Sequence, residues 1–201
     1  MKDTYYVVTY TGPFGFIKPW TAVRDGETFS QQFLTPSIVA GMERKLFPEL
    51  LDKPFGHYAI AGHRLTYQMM TQQQEQVQPR GWTMKGTKNN RSWERPYAIL
   101  MRNTLLYPTL YLAFNDAEYA RRATEQHLCL CRNEDLIYPT EAGVQEVSAD
   151  DFANDEEQFA GFELMFEQEH PQAFLVGYNR FDEAAPMYGW LRTVGDPVKL
   201  Q

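Results

Sequence analysis

Between Gln78 and Pro96 the sequence sets five cations, Arg80, Lys85, Lys88, Arg91 and Arg95, against a single acid, Glu94. Trp82, Trp93, Asn89 and Asn90 are interleaved with them. Lysine and arginine neutralise phosphates, and an indole offers a flat face on which a base stacks, worth roughly 1–3 kcal/mol per base. Gly81 and Gly86 let the backbone bend around a strand. This is chemistry suited to single-stranded nucleic acid, and it makes the five cations and two tryptophans candidate RNA contacts.

A second constellation lies nearer the start. GPFGFIKPW (Gly12–Trp20) is a glycine- and proline-broken loop, and LTPSIVAGMERKLFPELL (Leu34–Leu51) follows it. Thr35 suits a helix N-cap and Pro36 suits the first helical position. Helix starts carry unpaired N–H groups and a positive dipole end, which favour phosphate. Lys18, Trp20, Arg24, Ser37 and Arg44 are therefore expected near RNA phosphates, with the N–H groups after Thr35 as further donors. HRLTY (His63–Tyr67), on the strand leading into the basic segment, adds His63, Arg64 and Tyr67.

Other chemistries lack their residues. His127, Cys129 and Cys131 would share a strand face about 6.5–7 Å apart, whereas zinc needs four ligands at about 2.0–2.3 Å from one point. Two core cysteines are expected instead, with no metal and no cofactor. The phosphate-loop, nucleophile-elbow and H-E-x-x-H patterns are absent. No apolar run approaches the ~18 residues of a membrane span, no signal peptide is evident, and the cysteine usage fits the cytoplasm.

Charge is divided along the chain. The net charge is −7, yet residues 1–132 carry 16 Lys and Arg against 11 Asp and Glu. Residues 133–201 carry 3 against 15, and Glu134 to Glu169 holds 12 acids with no Lys or Arg. The first part is expected to meet a polyanion. The acids of Asp150 to Glu169 are expected to face solvent or a basic partner, away from RNA.

These side chains need a scaffold. Thr4–Tyr10 (TYYVVTY) reads as a buried strand. Ile38, Val39, Met42, Leu46 and Phe47 repeat at helical spacing until Pro48. His57–Met70 reads as a strand, and Thr71–Pro96 as a long polar and basic insert without apolar period. Tyr97–Met101 and Tyr107–Phe114 resume strand-like sequence. DAEYARRATEQHL reads as a helix capped by Asn115 or Asp116. Further strands are expected at Leu128–Leu130, Leu136–Val147, Ala173–Tyr178 and Tyr188–Val194, with a short helix capped by Asp150 or Asp151. The result is an α+β fold of ferredoxin-like, RRM-like βαββαβ order. One domain is expected: an RRM-like part over 1–132 with the insert at about 71–96, and an acidic, β-rich extension over 133–201 packed on it.

Together these residues resemble the CRISPR-associated RAMP proteins, specifically the Cas-five family. The resemblance rests on GPFGFIKP (Gly12–Pro19) and TPSIVAGMERKLFP (Thr35–Pro48), and on weaker matches in RPYAILMRNTLLYPTLYLAF (Arg95–Phe114) and CLCRNEDLIYPTE (Cys129–Glu141), where Cys131 replaces the family's glycine. It covers about residues 4–141. It implies an RNA-recognition fold with a thumb between the second and third strands, at the place of the basic insert. It also implies a subunit of a Cascade-type effector (surveillance) complex for antiviral defence, which caps the 5′ handle of the guide RNA (crRNA). The implied partners are a backbone RAMP subunit of the Cas-seven type and a large or small subunit. One branch of the family is a metal-independent endoribonuclease that processes precursor guide RNA, using a Tyr after the Thr-Pro-Ser helix and a Lys-His pair. Here Phe47 stands near that Tyr, and no Lys-His dipeptide occurs. Phenylalanine has no proton to transfer, so no catalytic residue is expected. His63 and Tyr67 carry the nuclease alternative; a free-standing single-stranded RNA-binding module is a third reading.

Overall fold

The computed structural model describes residues 4–19, 26–53, 56–77, 81–87, 90–95, 97–130, 132–166, 169–179 and 182–198. The fold is α+β and strand-rich. In chain order come β1 (Thr4–Thr11), β2 (Phe14–Gly15), β3 (Glu27–Phe29), α1 (Pro36–Leu46), a 3-10 turn (Pro48–Leu50) and β4 (Ile60–Thr66). Next are β5 (Met69–Val77), β6 (Thr83–Thr87), β7 (Asn90–Glu94), β8 (Ala98–Leu106), β9 (Thr109–Phe114), α2 (Ala117–Ala123) and β10 (Leu128–Cys129). The chain then forms β11 (Leu136–Ser148), α3 (Ala149–Asn154), β12 (Gly161–Met165), β13 (Phe174–Asn179) and β14 (Ala185–Val194).

The main sheet runs β10-β11-β1-β9-β4-β12-β14-β13, and its strand pairs are antiparallel. β1 is central and buried on both faces. Val8 and Tyr10 join the larger core with Val39, Met42 and Leu46 of α1 and Ala120 and Ala123 of α2. Val7 joins a smaller core with Tyr111, Ala113, Phe152 and Phe159, on the side covered by α3. Period-2 side-chain alternation splits the strand's apolar run between these two layers.

α1 starts and stops where its sequence dictates. Thr35 holds the extended N-cap conformation, Pro36 opens the helix, and Pro48 follows its end at Leu46. Its buried stripe contains one acid, Glu43, which is fully buried. The Glu43 carboxylate accepts the N–H groups of Tyr58, Ala59 and Ile60 at 2.9, 2.6 and 2.9 Å, fixing the entry to β4. α2 is shorter than the sequence suggests. Asp116 caps it by accepting from Glu118 N at 2.9 Å, and it ends at Ala123, leaving His127 outside.

Three expectations need correction. The insert is not structureless: β5 and β8 pair over nine positions, from Met69 with Leu106 to Val77 with Ala98, and β6 pairs with β7 beyond them. The β6–β7 hairpin is exposed at every residue, so its strands have no buried face to mark with an apolar period. The cap of α3 is Ser148, which accepts from Asp151 N at 2.9 Å, rather than Asp150 or Asp151. And the acidic stretch holds β12, which joins the main sheet beside β4 through Phe162 and Leu65.

Candidate nucleic-acid interface

The insert is an arm rising from the main sheet between β4 and β9. Its stem is anchored on one flank of β8, where β2 pairs with Leu105 and Leu106 and β3 runs parallel to Met101–Asn103. β5 occupies the other flank. Arg102 bonds Glu75, and Arg132 reaches the same carboxylate at 3.6 Å. Both guanidinium groups lie over the ring of buried Phe16, at 4.8 and 5.4 Å. Arg132 is held in turn by fully buried Asp135, with bonds of 2.7 and 2.6 Å that raise its pKa.

At the tip, register sorts the side chains. Met84 faces Trp93, and Gly86 faces Arg91. One ladder step further, the Arg95 guanidinium lies 4.7 Å over the Trp82 ring. Directly opposed residues share a face and successive ones alternate. One face of the tip therefore carries Trp82, Met84, Trp93, Arg91 and Arg95. Gly86 is required at its step: φ is +109°, and a Cβ would sit 1.9 Å from the Asn90 carbonyl oxygen. Trp82 and Trp93 are 58% and 63% exposed, so neither folds back onto a core. The opposite face is polar. Lys85 lies there, paired with Glu94 at 2.6 Å, so its charge is partly spent within the hairpin. Arg80 and Lys88 lie outside the described residues.

The second constellation lies only partly among the described residues. Lys18 is exposed, just beyond Ile17, whose carbonyl accepts from Gln31 at 2.8 Å. Trp20 and Arg24 fall outside the described residues. Ser37 is exposed and shares a 3.0 Å hydrogen bond with the Thr35 hydroxyl. The N–H groups of Ile38 and Val39, expected as phosphate donors, both go to the Thr35 carbonyl at 3.0 Å. Arg44 sits at the other end of α1, half-buried, and donates to the Ala40 carbonyl at 3.1 Å.

HRLTY turns inward. Arg64 is 1% exposed; it meets Glu163 at 3.0 and 3.1 Å, donates to the Phe152 carbonyl at 3.0 Å and lies over the Phe152 ring. It has no surface to offer a phosphate. Burial lowers its pKa and raises that of Glu163, against their mutual attraction. His63 lines a small cleft with His57, Pro36, Val39 and Glu163, and its Nε2 has no hydrogen-bond partner among the described residues. Burial, then the nearby His57 and Arg64, pushes its pKa down to about 4, so the ring is neutral at pH 7. Tyr67 is buried and donates to Gln32 Oε1 at 2.6 Å, and burial raises its pKa.

His127 is exposed and Cys129 half-buried, while Cys131 lies outside the described residues. No cluster of His, Cys, Asp or Glu able to hold a metal occurs among the described residues.

Sequence reasoning missed Met84 on the tip face, and the anchoring set of Phe16, Glu75, Arg102, Arg132 and Asp135. The first was readable: Trp82, Met84, Gly86 and Arg91, Trp93, Arg95 are each spaced by two, the strand period. The second joins residues far apart in sequence and had no local signal.

With this geometry in view, the chain can be set beside known proteins. No protein-family model and no curated protein matches it. A solved structure shares its fold. That structure is titled "CRISPR RNA-guided surveillance complex", and one of its chains superposes with a TM-score of 0.53. The alignment covers 98% of this chain and 92% of that one, at 12% identity. The likeness therefore spans the main sheet, the arm and the acidic C-terminal part together.

Proposed function

We propose that this chain is a non-catalytic, guide-RNA-binding subunit of a CRISPR effector complex, of the Cas-five type, capping the 5′ handle of the guide. The observation that carries this is the tip face, where two exposed tryptophans and two arginines share one side of an arm. Stacking surfaces and cations arranged together suit a single strand. The surveillance-complex chain of the same fold supports the setting. The ferredoxin-like reading draws support from the strand order β11-β1-β9-β4, with α1 between β1 and β4 and α2 between β9 and β10. The arm then stands between the second and third strands of that unit, where the family's thumb belongs. The glycine loop and Thr-Pro-Ser helix start carry the finer assignment, and with it the proposed partners: a Cas-seven-type backbone subunit and a large or small subunit, in the cytoplasm. No helix among the described residues is long and apolar enough to cross a membrane.

The nuclease alternative is less favoured. His63 and Tyr67 face the interior, and Phe47 is fully buried against Phe114 and Tyr119.

The test is co-purification from cells carrying the neighbouring genes and a CRISPR array. Several unlike subunits and one short RNA are expected with this chain. Trp82→Ala with Trp93→Ala should lower guide affinity about 10-fold or more, since each stacked base contributes about 1–3 kcal/mol. Unchanged RNA content in that double variant would remove the tip from the interface. RNA recovered from those cells with this chain but with no partner subunit would favour the free-standing module.

A further inference from the structure

At the root of the arm three turns meet. They are Gly12–Pro13 after β1, the Tyr67–Gln68 link between β4 and β5, and the Tyr107–Pro108 link between β8 and β9. They enclose a cleft of about 550 Å³. Backbone bonds lock them together. Tyr107 N–H donates to Pro13 O at 3.0 Å, Gly12 N–H to Pro108 O at 3.3 Å and Gln68 N–H to Leu106 O at 3.0 Å. Gly12 also lies tight against β11, since a Cβ there would sit 2.5 Å from the Leu136 carbonyl oxygen.

Tyr107 is the anomaly. Its φ is +47°, in the left-handed region that bulky residues rarely enter, and it precedes a proline, a position that favours extended backbone. Glycine would make this turn at lower cost. Yet a large aromatic ring occupies it and is left 56% exposed at the rim of the cleft. Strained non-glycine residues cluster at functional sites.

Among the described residues, the lining carries no charged side chain. It offers the Tyr107 ring, the hydroxyls of Thr11 and Thr109, and the amide of Gln68, which presents a donor and an acceptor together. A phosphate has no cation here to meet it. A planar heteroaromatic with hydrogen-bonding edges fits both the ring and the neutral rim.

We infer that this cleft holds one unpaired nucleobase of bound RNA, stacked on Tyr107, with the Gln68 amide and Thr109 hydroxyl at its edge. The inference rests on reading the chain as an RNA binder. It divides the labour: phosphates and bases on the cationic tip, one base in the neutral root.

The test is photocross-linking of the full chain to a mixed-sequence single-stranded RNA carrying 4-thiouridine, with the attachment sites mapped by mass spectrometry. Cross-links are expected at Tyr107 as well as at the tip tryptophans. Tyr107→Gly keeps the left-handed turn and removes the ring. It should leave the melting temperature unchanged or higher, abolish the root cross-link and weaken RNA binding about 10-fold, the loss of one stacked base. Tyr107→Phe should retain both binding and the cross-link. Cross-links confined to the tip, or full affinity in Tyr107→Gly, overturn the inference and leave the RNA-binding reading standing. A cleft that cross-links only to a co-purified protein overturns it in favour of a protein contact. Absence of RNA cross-links anywhere overturns both.

Discussion

Arg95 lies 4.7 Å over the ring of Trp82 at the arm tip, and Arg64 lies 4.9 Å over the ring of Phe152 in the body. The contacts are alike in chemistry and opposite in surroundings. Arg95 is exposed, whereas Arg64 is closed off from water and matched by a buried carboxylate. An exposed charge is well solvated and costs little to leave available to a ligand. A buried one is so expensive to leave unpaired that its partner fixes its role. Residue type is shared between the two places; burial separates binding from architecture.

The sharpest way to break this comparison is to remove the buried arginine. Arg64→Ala strands Glu163 inside the sheet and should cost about 3–5 kcal/mol, read by urea unfolding. The double variant Arg64→Met with Glu163→Leu should recover much of it. A single variant as stable as the native chain would mean that Arg64 is not committed to the body.

Acid should probe the same region. His63 has its pKa pushed down to about 4 from an ordinary 6.5. Its fold-specific stability is therefore fully present above pH 6.5 and drains away as pH falls towards 4, reaching about 3 kcal/mol lost, because the unfolded chain binds the proton first. Glu163, whose pKa is raised, works in the opposite sense. Comparing the native chain with His63→Phe across pH 4–7 isolates the histidine. A stability difference that does not change with pH would place that ring in contact with water.

The smallest effect refines the comparison within the tip itself. Arg91 shares the tryptophan face, whereas Lys85 lies on the other face with Glu94. Exposed pairs contribute only about 0–1 kcal/mol, so Lys85→Ala should barely change stability. In RNA titrations at several salt concentrations, Arg91→Ala should reduce the salt slope by about 0.7, the value for one phosphate contact on a single strand, and Lys85→Ala by less. Equal slopes would mean that RNA does not distinguish the two faces.

What the sequence made legible follows from where side chains sit. β1 was readable from its run of β-branched and aromatic residues, and α1 because its apolar residues repeat at helical spacing and Thr35, Pro36 and Pro48 punctuate it. The composition of the tip was readable because two tryptophans among cations are unusual in a segment without core pattern. The outer part of β8 was readable at Tyr97–Met101, but β5 was not, since TQQQEQV has no buried residue, and the spacing by two in β6 and β7 marks no buried face. β12 was hidden inside an acidic run whose central residue, Glu163, is neutralised by an arginine 99 positions away. HRLTY misled for the same reason: Arg64, Thr66 and Tyr67 are bonded to distant partners, and His63 is buried beside them.

β8 gives the arm an uneven stiffness. From Met101 to Leu106 it is flanked on both sides, by β5 and by β3 or β2, while from Ala98 to Leu100 β5 is its one partner strand among the described residues. A ribbon bends most easily where it is narrowest. The inner half thus behaves as a built-in beam clamped through Phe16, and the outer half as its compliant free end. A load applied at Trp82 or Trp93 would first be taken up as flexure beyond Leu100, ahead of the stretch of β8 that β2 and β3 flank.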